Sequence, residues 1–65
     1  MSRTVLKEAR KQHGLTQEAL AARIFINLQY YKKIESGRMV GGIPTWDALE
    51  DFFGINQRKL REVAQ

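Results

Sequence analysis

Apolar residues recur along the chain at helical spacing in five short stripes: Leu6/Ala9, Leu20/Ile24, Tyr31/Ile34, Trp46/Leu49/Phe53 and Leu60/Val63. Residues three or four places apart share one face of an α-helix, so each stripe predicts a helix with one buried side. Nothing reads as a strand pair, a repeat or a low-complexity segment. The breaks fall at Gly14, Gly37, the Gly41-Gly42 pair before Pro44, and Gly54.

Three of the helices open with the same grammar. Leu15-Thr16 precedes Leu20, Ile26-Asn27 precedes Tyr31, and Ile55-Asn56 precedes Leu60. Each is a polar cap residue behind an apolar one, with an apolar residue returning at the fourth helical position. This pattern predicts hydrophobic staples, with Thr16, Asn27 and Asn56 accepting backbone N–H groups. The expected helices run over about 3–13, 17–23, 28–36, 43–53 and 57–64, with Pro44 tolerated in a first turn and glycines closing the ends. The expected architecture is a compact, all-α, five-helix domain occupying residues 1–65.

The second and third starts are eleven residues apart, which leaves about two helical turns and a tight connection. Helices joined so closely cross steeply, as in a helix-turn-helix, and one holds the other outward. At ~100° per residue, Tyr31, Ile34 and Glu35 share a face of the third helix. Gln29, Lys33 and Ser36 lie opposite, with Lys32 beside them and Tyr30 on the other flank. The polar strip suits a DNA major groove: a Gln amide pairs with adenine, Lys reaches guanine or phosphate, and Leu28 meets a thymine methyl. The alternative is a solvated face. Gln17, in the first turn of the second helix, suits a phosphate at a helix N-terminus or is a plain polar residue.

Charge sharpens the picture. The net is +4, but residues 1–38 hold eight Lys/Arg against three Asp/Glu, while residues 39–65 hold three against four. A basic half suggests a polyanion on one side. There is no cysteine, so neither a disulfide nor a thiolate-bound metal is available, and His13 has no second histidine for a metal site or triad. No cofactor, no metal and no enzymatic activity are expected. The N-terminal stretch has no apolar targeting segment and charges interrupt every apolar run, so a cytoplasmic chain without a membrane span is expected.

The stretch LTQEALAARIFINLQYYKKIESGR resembles the lambda-repressor-like helix-turn-helix family of phage repressors, Cro proteins and Xre-type bacterial regulators. The resemblance is carried by Arg10, Gly14-Leu15-Thr16-Gln17, Leu20-Ala21, Ile34-Glu35 with Gly37, and later Thr45-Trp46, Leu49 and Phe53-Gly54. It implies a homodimer on a palindromic double-stranded DNA operator, with the third helix in the major groove. Carried over by position, it makes Gln17 a phosphate or edge-base contact at the start of the second helix, and Asn27, the cap of the third, is counted among the DNA-binding residues. Leu28, Gln29 and Lys33 become base readers, with Lys32 and Tyr30 nearer the backbone. Ser36, Arg38 and the backbone N–H groups after Gly37 would clamp the sugar-phosphate chain. Arg10 and Glu35 match a structural ion pair.

Three departures stand out. Phe25 replaces the usual turn glycine, so either the turn is rebuilt or strain is tolerated. Its ring is expected either to fold back onto the first or fourth helix or to contact a partner protein. Met39 to Ile43 lacks the usual proline and is expected to be mobile, or to approach a phosphate. Glu50 replaces a small residue, and with Asp47 and Asp51 is expected to form a solvated acidic face. Trp46, Phe52 and Phe53 are read as core, with Phe52 a candidate dimer contact. The rival readings are a protein-interaction module using an apolar patch of Phe25, Leu28, Tyr30 and Met39, and a single-strand nucleic-acid binder.

Overall fold

Polar caps set the starts of three helices in the computed structural model, which describes residues 2–63. Five helices follow in order: α1 Thr4–Gln12, α2 Gln17–Arg23, α3 Leu28–Glu35, α4 Ile43–Phe53 and α5 Gln57–Leu60. Thr16 Oγ1 accepts the Ala19 N–H at 3.0 Å, Asn27 Oδ1 accepts Gln29 N–H at 2.7 Å, and Asn56 Oδ1 accepts Arg58 N–H at 2.8 Å. Behind each cap, Leu15, Ile26 and Ile55 pack against the core, and their staple partners Leu20, Tyr31 and Leu60 are buried within it.

α1 packs on α3 and α5, α2 on α3, and α4 on α5. Leu6, Ala9, Leu20, Ala21, Tyr31, Ile34, Trp46, Leu49 and Leu60 form one core. Among the described residues no strand is present and no helix is long and apolar enough to cross a membrane.

The fifth helix is one turn long, not two. Its predicted range ran to residue 64, which lies outside the described residues, but the helix already ends at Leu60, with Arg61 as its cap. The Arg61 carbonyl accepts the Arg3 Nε–H at 3.0 Å, a long-range bond that replaces helical continuation. Val63 is half-buried rather than core.

Three helices close in the same way. After α1, Gly14 N–H bonds to Lys11 O and Leu15 N–H to Arg10 O. After α3, Gly37 and Arg38 N–H groups bond to Ile34 and Lys33 carbonyls. After α2, Phe25 and Ile26 N–H groups bond to Ala22 and Ala21 carbonyls. This paired closure needs a left-handed residue just past the helix. Gly14 and Gly37 supply it without a Cβ, at φ +67° and +84°; the third position is Phe25, at φ +61°. The turn is therefore not rebuilt around the aromatic residue, and the strain is retained.

Phe25 is 94% exposed. The expectation that it folds back onto α1 or α4 is overturned, because the left-handed backbone aims its side chain away from the core.

The loop between α3 and α4 is pinned, against the expectation of mobility. Arg3 Nη1 donates to Met39 O at 2.7 Å, Trp46 Nε1 donates to Val40 O at 2.6 Å, and Gly42 N–H donates to the Tyr30 hydroxyl at 2.9 Å. Gly41 lies between them at φ +84°, and a Cβ there would stand 3.0 Å from Ile34 Cδ1 and 3.2 Å from Trp46 Nε1. Only glycine fits both the backbone angle and the space.

Part of the acidic face of α4 is engaged rather than solvated, through Glu50 and Asp47, while Asp51 stays exposed as expected. Glu50 Oε2 accepts Gln57 N–H at 3.2 Å, and Gln57 Nε2 donates to Glu50 Oε1 and Asp47 Oδ1 at 3.1 and 2.9 Å. The carboxylates supply acceptors for the opening turn of α5, whose first N–H groups have no helical partner.

Candidate nucleic-acid interface

α3 buries Tyr31, Ile34 and Glu35 and exposes the opposite side. Gln29, Lys32, Lys33, Ser36 and Arg38 line one shallow open cleft there. A second cleft continues from it, lined in part by Lys7, Arg10, Gln17, Lys32 and Ser36. Glu35, the one carboxylate bordering either cleft among the described residues, is buried and ion-paired. The two clefts therefore present cations with no exposed carboxylate in their lining, the exposed Glu18 of α2 standing outside both.

Behind this surface lies a polar anchor. Arg10 Nε donates to Glu35 Oε1 at 3.1 Å, and Arg10 Nη1 donates to the Leu15 carbonyl at 2.8 Å. Glu35 Oε2 accepts the Gln17 side-chain amide. One carboxylate thus locks the first residue of α2 to the last turn of α3, through Gln17, and to α1 through Arg10. Gln17 is half-buried, and its amide orientation is set by Glu35 rather than left free for a phosphate.

Other predicted residues have partners of their own. Asn27 is exposed, and its Oδ1 caps α3 through Gln29 and Tyr30 N–H groups. Leu28 is half-buried in the first helical turn. Tyr30 is half-buried against the core and its hydroxyl accepts from Gly42, so it ties α3 to the following loop instead of standing free beside the strip. Ser36 Oγ donates back to Lys33 O at 3.1 Å.

The backbone N–H groups expected to clamp phosphate after Gly37 are largely committed. Those of Gly37, Arg38 and Met39 all bond to carbonyls of α3, because a helix C-terminus leaves carbonyls that the next residues satisfy. The exposed side chain of Arg38 remains as the cationic group of that loop.

Sequence reasoning missed Arg3. It is 4% exposed, and its guanidinium donates to the carbonyls of Ile34, Met39 and Arg61 while lying 5.2 Å over the Trp46 ring. Burial, and then the neighbouring Arg61, lower its pKa. Its main-chain N–H also reaches Glu35 O at 2.8 Å. Arg3 thereby fixes the end of α3, the α3–α4 loop and α5 at one point. No periodicity or spacing marks it out from the other cations.

Tyr31, on the buried face behind the strip, has a hydroxyl with no hydrogen-bond partner. Burial pushes its pKa up and Glu35 adds to the rise, while Arg10 acts the other way. Among the described residues no cluster of His, Asp or Glu is placed to hold a metal ion.

A family model described as helix-turn-helix matches residues 6–60, the span from α1 to the end of α5. Neither the curated proteins nor the solved structures yield a match. The caps of α2 and α3, the tight Phe25 turn and the cationic outer face of α3 all lie within the matched span. The chain belongs to the lambda-repressor-like helix-turn-helix family of DNA-binding regulators, of the Cro/C1 and Xre type.

Proposed function

We propose that this chain is a sequence-specific regulator of transcription, of the phage or mobile-element repressor or Cro type, that reads double-stranded DNA with α3. The observation that carries the reading is the cleft lined by Gln29, Lys32, Lys33, Ser36 and Arg38 on the exposed side of a helix whose other side is core. Gln29, Lys33 and Leu28 supply base recognition; Lys32, Ser36 and Arg38 supply phosphate contacts, with Gln17, held by Glu35, and Asn27 and Tyr30 orienting the helix. A single domain of this kind buries only ~600–1,000 Å² on DNA and binds weakly. Tight binding therefore takes a homodimer on a palindromic operator, with half-sites ~34 Å apart. Such a regulator works in the bacterial cytoplasm.

The test is competition between labelled duplex and single-stranded DNA across a salt series, for the wild type and for Lys32→Ala/Lys33→Ala. The reading expects duplex preference, weaker binding from loss of the Lys33 base contact, and a salt slope that falls by about 1 in the double variant, the counterion of the lost Lys32 phosphate contact. Equal binding of single strands, or an unchanged slope, would overturn it.

A second reading, a protein-interaction module of antirepressor or antitoxin type, draws on the exposed Phe25. Loss of DNA binding in the Lys32/Lys33 variant counts against it.

A further inference from the structure

Phe25 combines two unfavourable features that a glycine would remove. Its left-handed backbone brings Cβ too close to the carbonyl that follows, and its ring stands 94% exposed at φ +61°. Backbone strain kept at an exposed aromatic residue calls for a functional explanation. Beside the ring lies a shallow groove lined by Arg23, Ile24, Phe25, Ala48, Asp51 and Phe52. Ala48, Asp51 and Phe52 stand three and four residues apart, on one face of α4. Ala48 leaves a hollow, and the Phe52 ring behind it is braced by Phe53 at 5.0 Å and His13 at 5.7 Å. Arg23 and Asp51 are both exposed at the groove and form no ion pair with each other.

We propose that this groove docks a second copy of the chain face to face, each Phe25 seating against Ala48 and Phe52 of the other copy. The patch carries a knob beside a hollow and a cation beside an anion. Under a two-fold axis, where each residue meets the counterpart of its own partner, those pairs satisfy one another: Arg23 meets Asp51, and Asp51 meets Arg23. A foreign apolar partner would require no such balance on this chain. The contact is small, below the ~1,000 Å² of a stable interface. It therefore associates weakly in free solution and gains weight where two copies are already held close. It rests on none of the DNA contacts proposed above.

The test uses the free protein without DNA. Amide NMR signals of Arg23, Ile24, Phe25, Ala48, Asp51 and Phe52 are followed against concentration, for the wild type and three variants. The wild type is expected to show concentration-dependent shifts at these residues. Phe25→Gly abolishes them while its spectrum stays folded. Arg23→Asp and Asp51→Arg each associate about tenfold more weakly than the wild type, because each copy then meets like charge twice. Mixed together, those two variants regain wild-type association, since each supplies what the other lacks. Both reversed side chains are exposed and unpaired in the monomer, so folding is preserved. A wild type that shows no concentration dependence at these residues overturns the proposal. So does a mixture no tighter than either variant alone, or association that persists in Phe25→Gly.

Discussion

Arg10 and Glu35 meet across α1 and α3, twenty-five residues apart, at 3.1 Å, with side chains 11% and 4% exposed. Because the carboxylate also accepts from Gln17, the pair joins three helices rather than two. Removing one partner strands the other charge away from water. Glu35→Ala is therefore expected to lose ~3–5 kcal/mol, and replacing both residues with methionine to recover most of that loss. Urea unfolding followed by circular dichroism measures both. A double variant no better than the single would contradict this account.

Gly41 and Gly14 share a left-handed backbone but not their surroundings. A Cβ at Gly14 meets nothing within 4 Å, while one at Gly41 meets Ile34 and Trp46 at 3.0–3.3 Å. Gly14→Ala is expected to cost about 1 kcal/mol from backbone strain alone. Gly41→Ala adds overpacking and is expected to cost about 2–4 kcal/mol. Thermal unfolding of the two variants side by side separates strain from crowding; equal losses would refute the distinction.

Phe25→Gly should act in the opposite sense. It relieves the left-handed strain at no cost in core packing, and is expected to stabilise the domain by about 1 kcal/mol, or ~4–8 °C in Tm. A lower Tm would mean that the exposed ring contributes to the monomer after all.

Tyr31 gives the fold a defined alkaline limit. Its phenol ordinarily titrates near pH 10, and burial first, then Glu35, raises that value in the folded chain. The folded state therefore holds its proton more tightly than the unfolded state. Stability is unaffected below about pH 10 and falls as pH rises past that value. Tyr31→Phe removes this part of the fall while keeping the buried ring. Unfolding free energies of both proteins from pH 7 to above 10 check the sign; parallel curves would contradict it.

What the amino-acid order disclosed depends on how far each cause reaches along the chain. Thr16, Asn27 and Asn56 cap N–H groups two or three residues away, so their helix starts were readable directly. The helical period likewise placed Gln29, Lys33 and Ser36 together, and these residues line one cleft. Arg3 was invisible because its carbonyl partners lie 31, 36 and 58 residues away. The same bond to Arg61 explains why α5 stops early. Gly41 and Tyr30 share that character: the loop they hold seemed loose from its glycines, and its restraints come from α3, α4 and Arg3. Phe25 was legible as an anomaly but not in its outcome, since nothing local decides whether a ring in that turn folds inward.

The central claim is that α3 reads base pairs. It is tested most directly by selecting duplex DNA from a random library at near-physiological salt, with the wild type and with Gln29→Ala and Lys33→Ala in parallel. The wild type is expected to enrich an inverted repeat with half-site centres ~34 Å apart, one helical turn of DNA. Each variant should lose preference at one base position per half-site, at a cost of ~1–3 kcal/mol there, and keep the rest of the motif. No enriched sequence, or a motif that both variants reproduce unchanged, would contradict the claim.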